Sequence, residues 1–106
     1  MSAALQSRRQ AIEFALRHLV PRVPAHEFGA IVDHALDSEG LKSASPEAAA
    51  WLSLVAYVRH VFTDYDALLT QGYDRDSARF FVADEMTAVL KEWGARRGLG
   101  ADEGDI

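Results

Sequence analysis

The segment Arg59-His60-Val61-Phe62-Thr63-Asp64-Tyr65-Asp66 is dense in groups that can do chemistry. If the helix continues through it, His60 and Asp64 stand one turn apart, where an imidazole and a carboxylate can share a metal ion or a proton. Asp66 adds a second carboxylate. A competing reading is local, because Asp64 and Asp66 also lie where a new helix starts. Acids there are stabilised by unpaired backbone N–H groups and by the helix dipole, without any catalysis. Further along, Arg75 and Arg79 can fold back onto Arg59 through short connections and meet Asp64, Asp66, Asp74 and Asp76. Such a cluster is either a structural ion-pair group or a site for an anion. Exposed ion pairs contribute only about 0 to 1 kcal/mol each, so stability alone is a weak reason for so many charges, and recognition of an anion or phosphate is the functional alternative. The candidate functional surface is therefore Arg59, His60, Tyr65, Asp66, Arg75 and Arg79.

Other chemistries are absent. The chain has no cysteine, which rules out a thiolate nucleophile, a disulfide framework and every zinc site built on Cys. His26 and His34 lack the i, i+4 partner of a helical zinc motif and read as solvated. There is no G-x-S-x-G elbow, P-loop or dinucleotide fingerprint. No catalytic residue, cofactor or metal is assigned, and a non-enzymatic role is expected.

The elements that must position these residues are all helical. Apolar residues recur at helical spacing from Ala3 to Leu19 (Leu5, Ile12, Ala15, Leu16, Leu19), and Pro21 bars continuation. Pro24 is suited to be the first residue of a second helix, with Phe28, Ile31, Val32, Ala35 and Leu36 on one face. Gly29 inside it suggests close approach of a neighbouring backbone. The stretch Asp37 to Ser45 reads as a loop, and Ser45-Pro46-Glu47 starts a third helix with a cap, a first-turn proline and an acid. Its stripe of Trp51, Leu54, Val55, Val58, Val61 and Phe62 marks it as the central core helix. Thr63 with Asp66 resembles a capping box opening a short helix of Tyr65, Leu68 and Leu69 that stops at Gly72. Asp74 caps a last helix running to about Trp93, with Ala78, Phe81, Val82, Met86, Val89 and Trp93 inward. No segment alternates with period two, so the fold class is all-α: a compact bundle of about five helices. One domain over residues 1–97 and a mobile acidic tail over 98–106 are expected.

Composition narrows the partners. Hydrophobic residues at 49% and charged residues at 25% match a globular chain. A net charge of -5 argues against dedicated nucleic-acid binding, although Arg8, Arg9, Arg17 and Arg22 leave a basic patch near the first helix as an alternative. No apolar run is long enough to span a membrane, and Met1-Ser2-Ala3-Ala4-Leu5 lacks the features of a secretory signal, so a cytoplasmic location is expected. On the first and last helices Phe14 and Phe80 fall off the apolar stripes and point outward, which makes them candidates for self-association.

The run Arg59 to Arg79, RHVFTDYDALLTQGYDRDSAR, resembles the bacterial domain-of-unknown-function 2293 family. The positions that fit are Arg59, His60, Thr63, Tyr65, Asp66, Leu68, Leu69, Gly72, Arg75, Ala78 and Arg79. That family's name carries no activity, so the resemblance implies membership and no mechanism. The turn Gln71-Gly72-Tyr73 is also similar to the Met-Gly-Phe/Tyr turn of ubiquitin-associated helical domains, with the Met replaced. The expected function is a protein-interaction or self-association module, with an unknown protein or a second copy as partner and no membrane. The alternatives are a nucleic-acid-binding module on the arginine faces, and a metal-dependent hydrolase or anion site at the corner between the third and fifth helices.

Overall fold

The computed structural model describes residues 3–100, with side chains from Ser7 onward. Among them run five α-helices: α1 (Ala3–Leu19), α2 (Ala25–Asp37), α3 (Pro46–Phe62), α4 (Tyr65–Thr70) and α5 (Arg75–Glu92), with one 3-10 turn at Glu39–Leu41. The all-α bundle expected from the periodicity is what forms. Leu5 falls outside the described side chains. Residues 101–106, most of the expected tail, lie outside the described residues, while Leu99 packs against the core.

Local chemistry sets most helix ends. The Ser45 hydroxyl accepts the Ala48 N–H at 3.1 Å, with Pro46 as the first residue of α3. The Asp74 carboxylate accepts the Ser77 N–H at 2.8 Å, and that bond holds its pKa below the usual value. Pro24 differs from expectation. Its ψ of 149° makes it the cap residue before α2 rather than the first helical one, which still uses its missing N–H harmlessly.

α3 packs against each of the other four helices. Its buried residues are Ala49, Ala50, Trp51, Ser53, Leu54, Val55, Ala56, Val58 and Arg59. They go all the way round the helix rather than along one stripe, as an enclosed helix requires. Ile12, Leu16, Ile31, Val32, Val82, Met86 and Leu90 close over it. The inward assignments of Val61, Phe62 and Phe81 do not hold. Val61 and Phe81 are 55% and 54% exposed and Phe62 is also exposed, because Phe62 meets Trp93 only edge-on and Tyr57 at a tilt, and Phe81 packs on the exposed rings of Tyr73 and Phe80 rather than on the core.

Side chains on different helices tie the bundle's rim. Arg8 donates to the carbonyls of Leu41 and Ala44 at 2.8 and 3.0 Å, pinning the connection before α3. The Tyr57 hydroxyl donates to Glu27 at 2.5 Å. Its pKa is pushed up to about 12, first by loss of solvent and then by the Glu27 carboxylate. At the end of α5, Arg22 donates its backbone N–H to the Trp93 carbonyl and its guanidinium to the carbonyls of Lys91 and Glu92. There Gly94 takes φ +95°, and a Cβ on it would meet Pro21 at 3.0 Å, so glycine is required twice over.

Gly29 is the opposite case. No atom lies within 4 Å of where its Cβ would be, so the close approach expected from its position in α2 does not exist. Gly29→Ala should therefore stabilise the fold by about 0.5 to 1 kcal/mol, through helix propensity alone. Chemical denaturation of the two proteins checks this, and a loss of stability would show that the glycine meets something.

Candidate functional site

Thr63 builds the corner between α3 and α4. With φ −136° and ψ 172° it leaves the helix. Its hydroxyl donates to the Arg59 carbonyl and accepts the Tyr65 N–H at 3.2 Å. That bond tucks Tyr65 under the corner, where it is buried. The Tyr65 ring then meets two neighbours. The Arg59 guanidinium stands 5.5 Å from its centroid, and the His60 ring meets it edge-on at 5.4 Å. His60 Nδ1 and Asp66 Oδ1 are 2.8 Å apart on the exposed side of the same corner.

Asp66 thus does not complete a capping box. The six-residue α4 begins on the hydroxyl of Thr63, and the Asp66 carboxylate is drawn to His60 instead. Asp64 makes no side-chain cap bond, and among the described residues no three His, Asp or Glu side chains are grouped to hold a metal. The metal alternative built on His60, Asp64 and Asp66 therefore lacks its ligand set.

Arg59 is 4% exposed. Its Nε and Nη1 are buried with no hydrogen-bond partner. Burial, then the charge of the neighbouring Arg79, holds its pKa below the ordinary guanidinium value, and Tyr65 opposes the shift. The structure thus gathers Arg59, His60, Tyr65, Asp66 and Arg79. Arg75 stays apart, exposed in the first turn of α5.

A second site was not anticipated. Between α1 and α3 runs a groove of about 680 Å³ lined by Phe14, Leu19, Trp51 and Leu52, with His18 and Arg97 on its walls. The Arg97 guanidinium lies 4.2 Å above the Trp51 ring, and Phe14 and His18 pack at 4.4 Å. A hollow of about 380 Å³ continues it, sharing His18, Leu19 and Arg97 and adding Arg96. Phe14 is the one sequence signal for the groove, since Trp51 reads as ordinary core.

The remaining arginines of the suspected basic patch are engaged within the fold. Arg8 holds the loop carbonyls, Arg9 pairs with Asp33 at 2.9 Å, Arg17 lies over Phe28 at 4.8 Å, and Arg22 caps α5. Phe14 and Phe80 are exposed as expected, at 64% and 78%, but they belong to different aromatic groups. Phe80 meets Phe81, which meets Tyr73, at centroid distances of 5.9 and 5.4 Å.

A family model described as an uncharacterized conserved protein, DUF2293, matches residues 15–94. That span contains the whole α3–α4–α5 corner, whereas Phe14 and Arg97 fall just outside it. No curated protein and no solved structure matches the chain.

The corner geometry separates two substitutions. Thr63→Val removes both the bond to Arg59 and the one from Tyr65, and should cost about 0.5 to 2 kcal/mol, as loss of a helix cap does. Asp66→Ala breaks only an exposed pair and should cost about 0 to 1 kcal/mol. Urea midpoints of the two variants test the order, and a larger loss for Asp66→Ala would restore the capping role.

Proposed function

The chain belongs to the DUF2293 family, whose description states no activity, and we propose from its geometry that it is a helical protein-interaction module. The α1–α3 groove would receive an amphipathic helix of a partner protein. The observation that carries this is the groove itself, open and apolar, with Phe14 standing 64% exposed at its edge. A folded monomer gains nothing by leaving a large aromatic ring over a concave apolar surface, and such surfaces commonly serve association. Helix-in-groove docking is the mode that suits a furrow between two helices. Charge states the partner's chemistry further: Arg96 lines the hollow at the C-terminal end of α1, so the incoming helix should carry apolar anchors and place an acidic residue at that end.

The test is selection of helical peptides from a displayed library against the whole chain. Peptides with apolar residues at i, i+3 or i+4 and i+7 and an acid at one end are expected. Phe14→Asp should weaken them by about tenfold or more, the scale of losing one buried anchor, while leaving the circular dichroism spectrum unchanged. A library that yields no peptide sensitive to Phe14 would overturn the reading.

A second reading, self-association, has its own support in the Tyr73, Phe81 and Phe80 rings, which touch in series on the exposed side of α5. Light scattering should then show a dimer that Phe80→Asp converts to a folded monomer. Wild-type protein that stays monomeric at high concentration removes this reading and leaves the groove untouched.

A further inference from the structure

We propose that the hollow between the start of α2 and the ends of α3 and α5 binds a methylated ammonium cation, held between aromatic rings and carboxylates. The hollow measures about 310 Å³ and is lined by Arg22, Pro24, Glu27, Phe62, Glu92 and Trp93. It shares no lining residue with the α1–α3 groove. Its walls are of two kinds, and the first is aromatic. Phe62 stands nearly perpendicular to Trp93, at 87° with centroids 5.3 Å apart, and Tyr57 is tilted by 58° to Phe62 at 6.2 Å. Rings turned steeply to one another form a corner rather than a stack, and a corner suits a small rounded group. Trp93 is buried at its back, while Phe62 is 38% exposed at its mouth.

The second wall is acidic. Glu27 accepts the Tyr57 hydroxyl on Oε1, Glu92 is exposed, and neither carboxylate forms an ion pair among the described residues. Arg22 is the cation of the lining, but it is spent on backbone: its N–H goes to the Trp93 carbonyl, its Nε to that of Glu92 and its Nη2 to that of Lys91. Those carbonyls end α5, so the arginine offsets the negative end of that helix rather than the two side chains. A metal ion needs more oxygen or nitrogen ligands than this, and among the described residues no three His, Asp or Glu are grouped to supply them. A neutral apolar molecule would take the carboxylates out of water with nothing in return. A primary ammonium brings three N–H donors, which ring walls do not satisfy. An ammonium whose hydrogens are replaced by methyl groups meets both walls, because its spread charge is attracted by the rings and the carboxylates and its methyls ask for no hydrogen bond.

The experiment follows the methyl proton signal of choline chloride by NMR as the full chain is added, with sodium chloride holding the ionic strength constant. Ring currents move methyl protons seated against aromatic faces upfield, so a saturable upfield shift is expected. Dimethylbutanol, in which carbon replaces the nitrogen of choline, should bind about tenfold more weakly or worse, since it lacks the charge. Phe62→Leu keeps an apolar side chain and loses the ring, and Glu92→Gln keeps the shape and loses the charge. Each should fold with an unchanged circular dichroism spectrum and weaken choline by about threefold or more. Free trimethyllysine forms a second arm: tighter binding than choline identifies the ligand as a modified protein side chain, and equal or weaker binding identifies a free small cation. If Phe62→Leu does not fold, Glu92→Gln and dimethylbutanol decide. Absence of a saturable shift with both choline and trimethyllysine overturns the proposal. So does dimethylbutanol or ethylammonium binding as tightly as choline, or an undiminished affinity in either folded variant.

Discussion

α3 has almost no solvent face between Ala49 and Arg59, and the rest of the bundle is arranged around that constraint. Four helices can approach one helix from all sides only if its own side chains leave room. Ala49, Ala50, Ser53 and Ala56 do so, while Trp51, Leu54, Val55 and Val58 fill the gaps between neighbours. Burying side chains of this size against water contributes roughly 1.5 to 3 kcal/mol for each large aliphatic one, so the enclosed helix concentrates the driving force for folding. Both candidate sites adjoin this enclosed helix. The groove opens beside Ala48, Trp51 and Leu52, and the arginine corner forms around Arg59, the last residue of α3 that the bundle closes over.

Enclosure also determines what could be read from residue patterns. Helix ends depend on chemistry within a few residues, so Ser45 before Pro46 and Asp74 before Arg75 announced their helices and formed the expected bonds. Faces depend on neighbours. A stripe rule assumes one buried side, and it places Val61 and Phe81 inward while leaving out Ala49, Ala50 and Ser53, which are fully buried. Asp66 shows the same limit at a single residue. Its position three after Thr63 fits a cap, yet a histidine six positions earlier in the chain competes for the carboxylate and takes it. The corner was legible as a place, because Arg59, His60, Tyr65, Asp66 and Arg79 do meet. Burial of Arg59 was not, since arginine is expected at the surface and only the arrival of α4 and α5 seals it.

The basic residues show how a chain can carry a local run of arginines without presenting a basic surface. Arg8, Arg9, Arg17 and Arg22 sit close in sequence, but their guanidiniums go to loop carbonyls, a carboxylate, an aromatic face and a helix terminus. Each of those roles uses the long apolar stem as well as the charge. Arg96 and Arg97, far along the chain, line the hollow that continues the groove.

The clasp between Arg22 and the end of α5 spans a sequence separation of 70 residues, and this gives the molecule an order of assembly. Contacts among α1, α2 and α3 close shorter loops than the clasp does, at a smaller entropic cost. The clasp must wait until α5 has crossed the bundle, because distant ends meet only after the intervening chain is ordered. Its hydrogen bonds are few and lie at the rim, so it is also the seam along which the native chain opens first. Amide protons in the last turn of α5 should exchange by opening of that seam alone, while those at the centre of α3 await global unfolding.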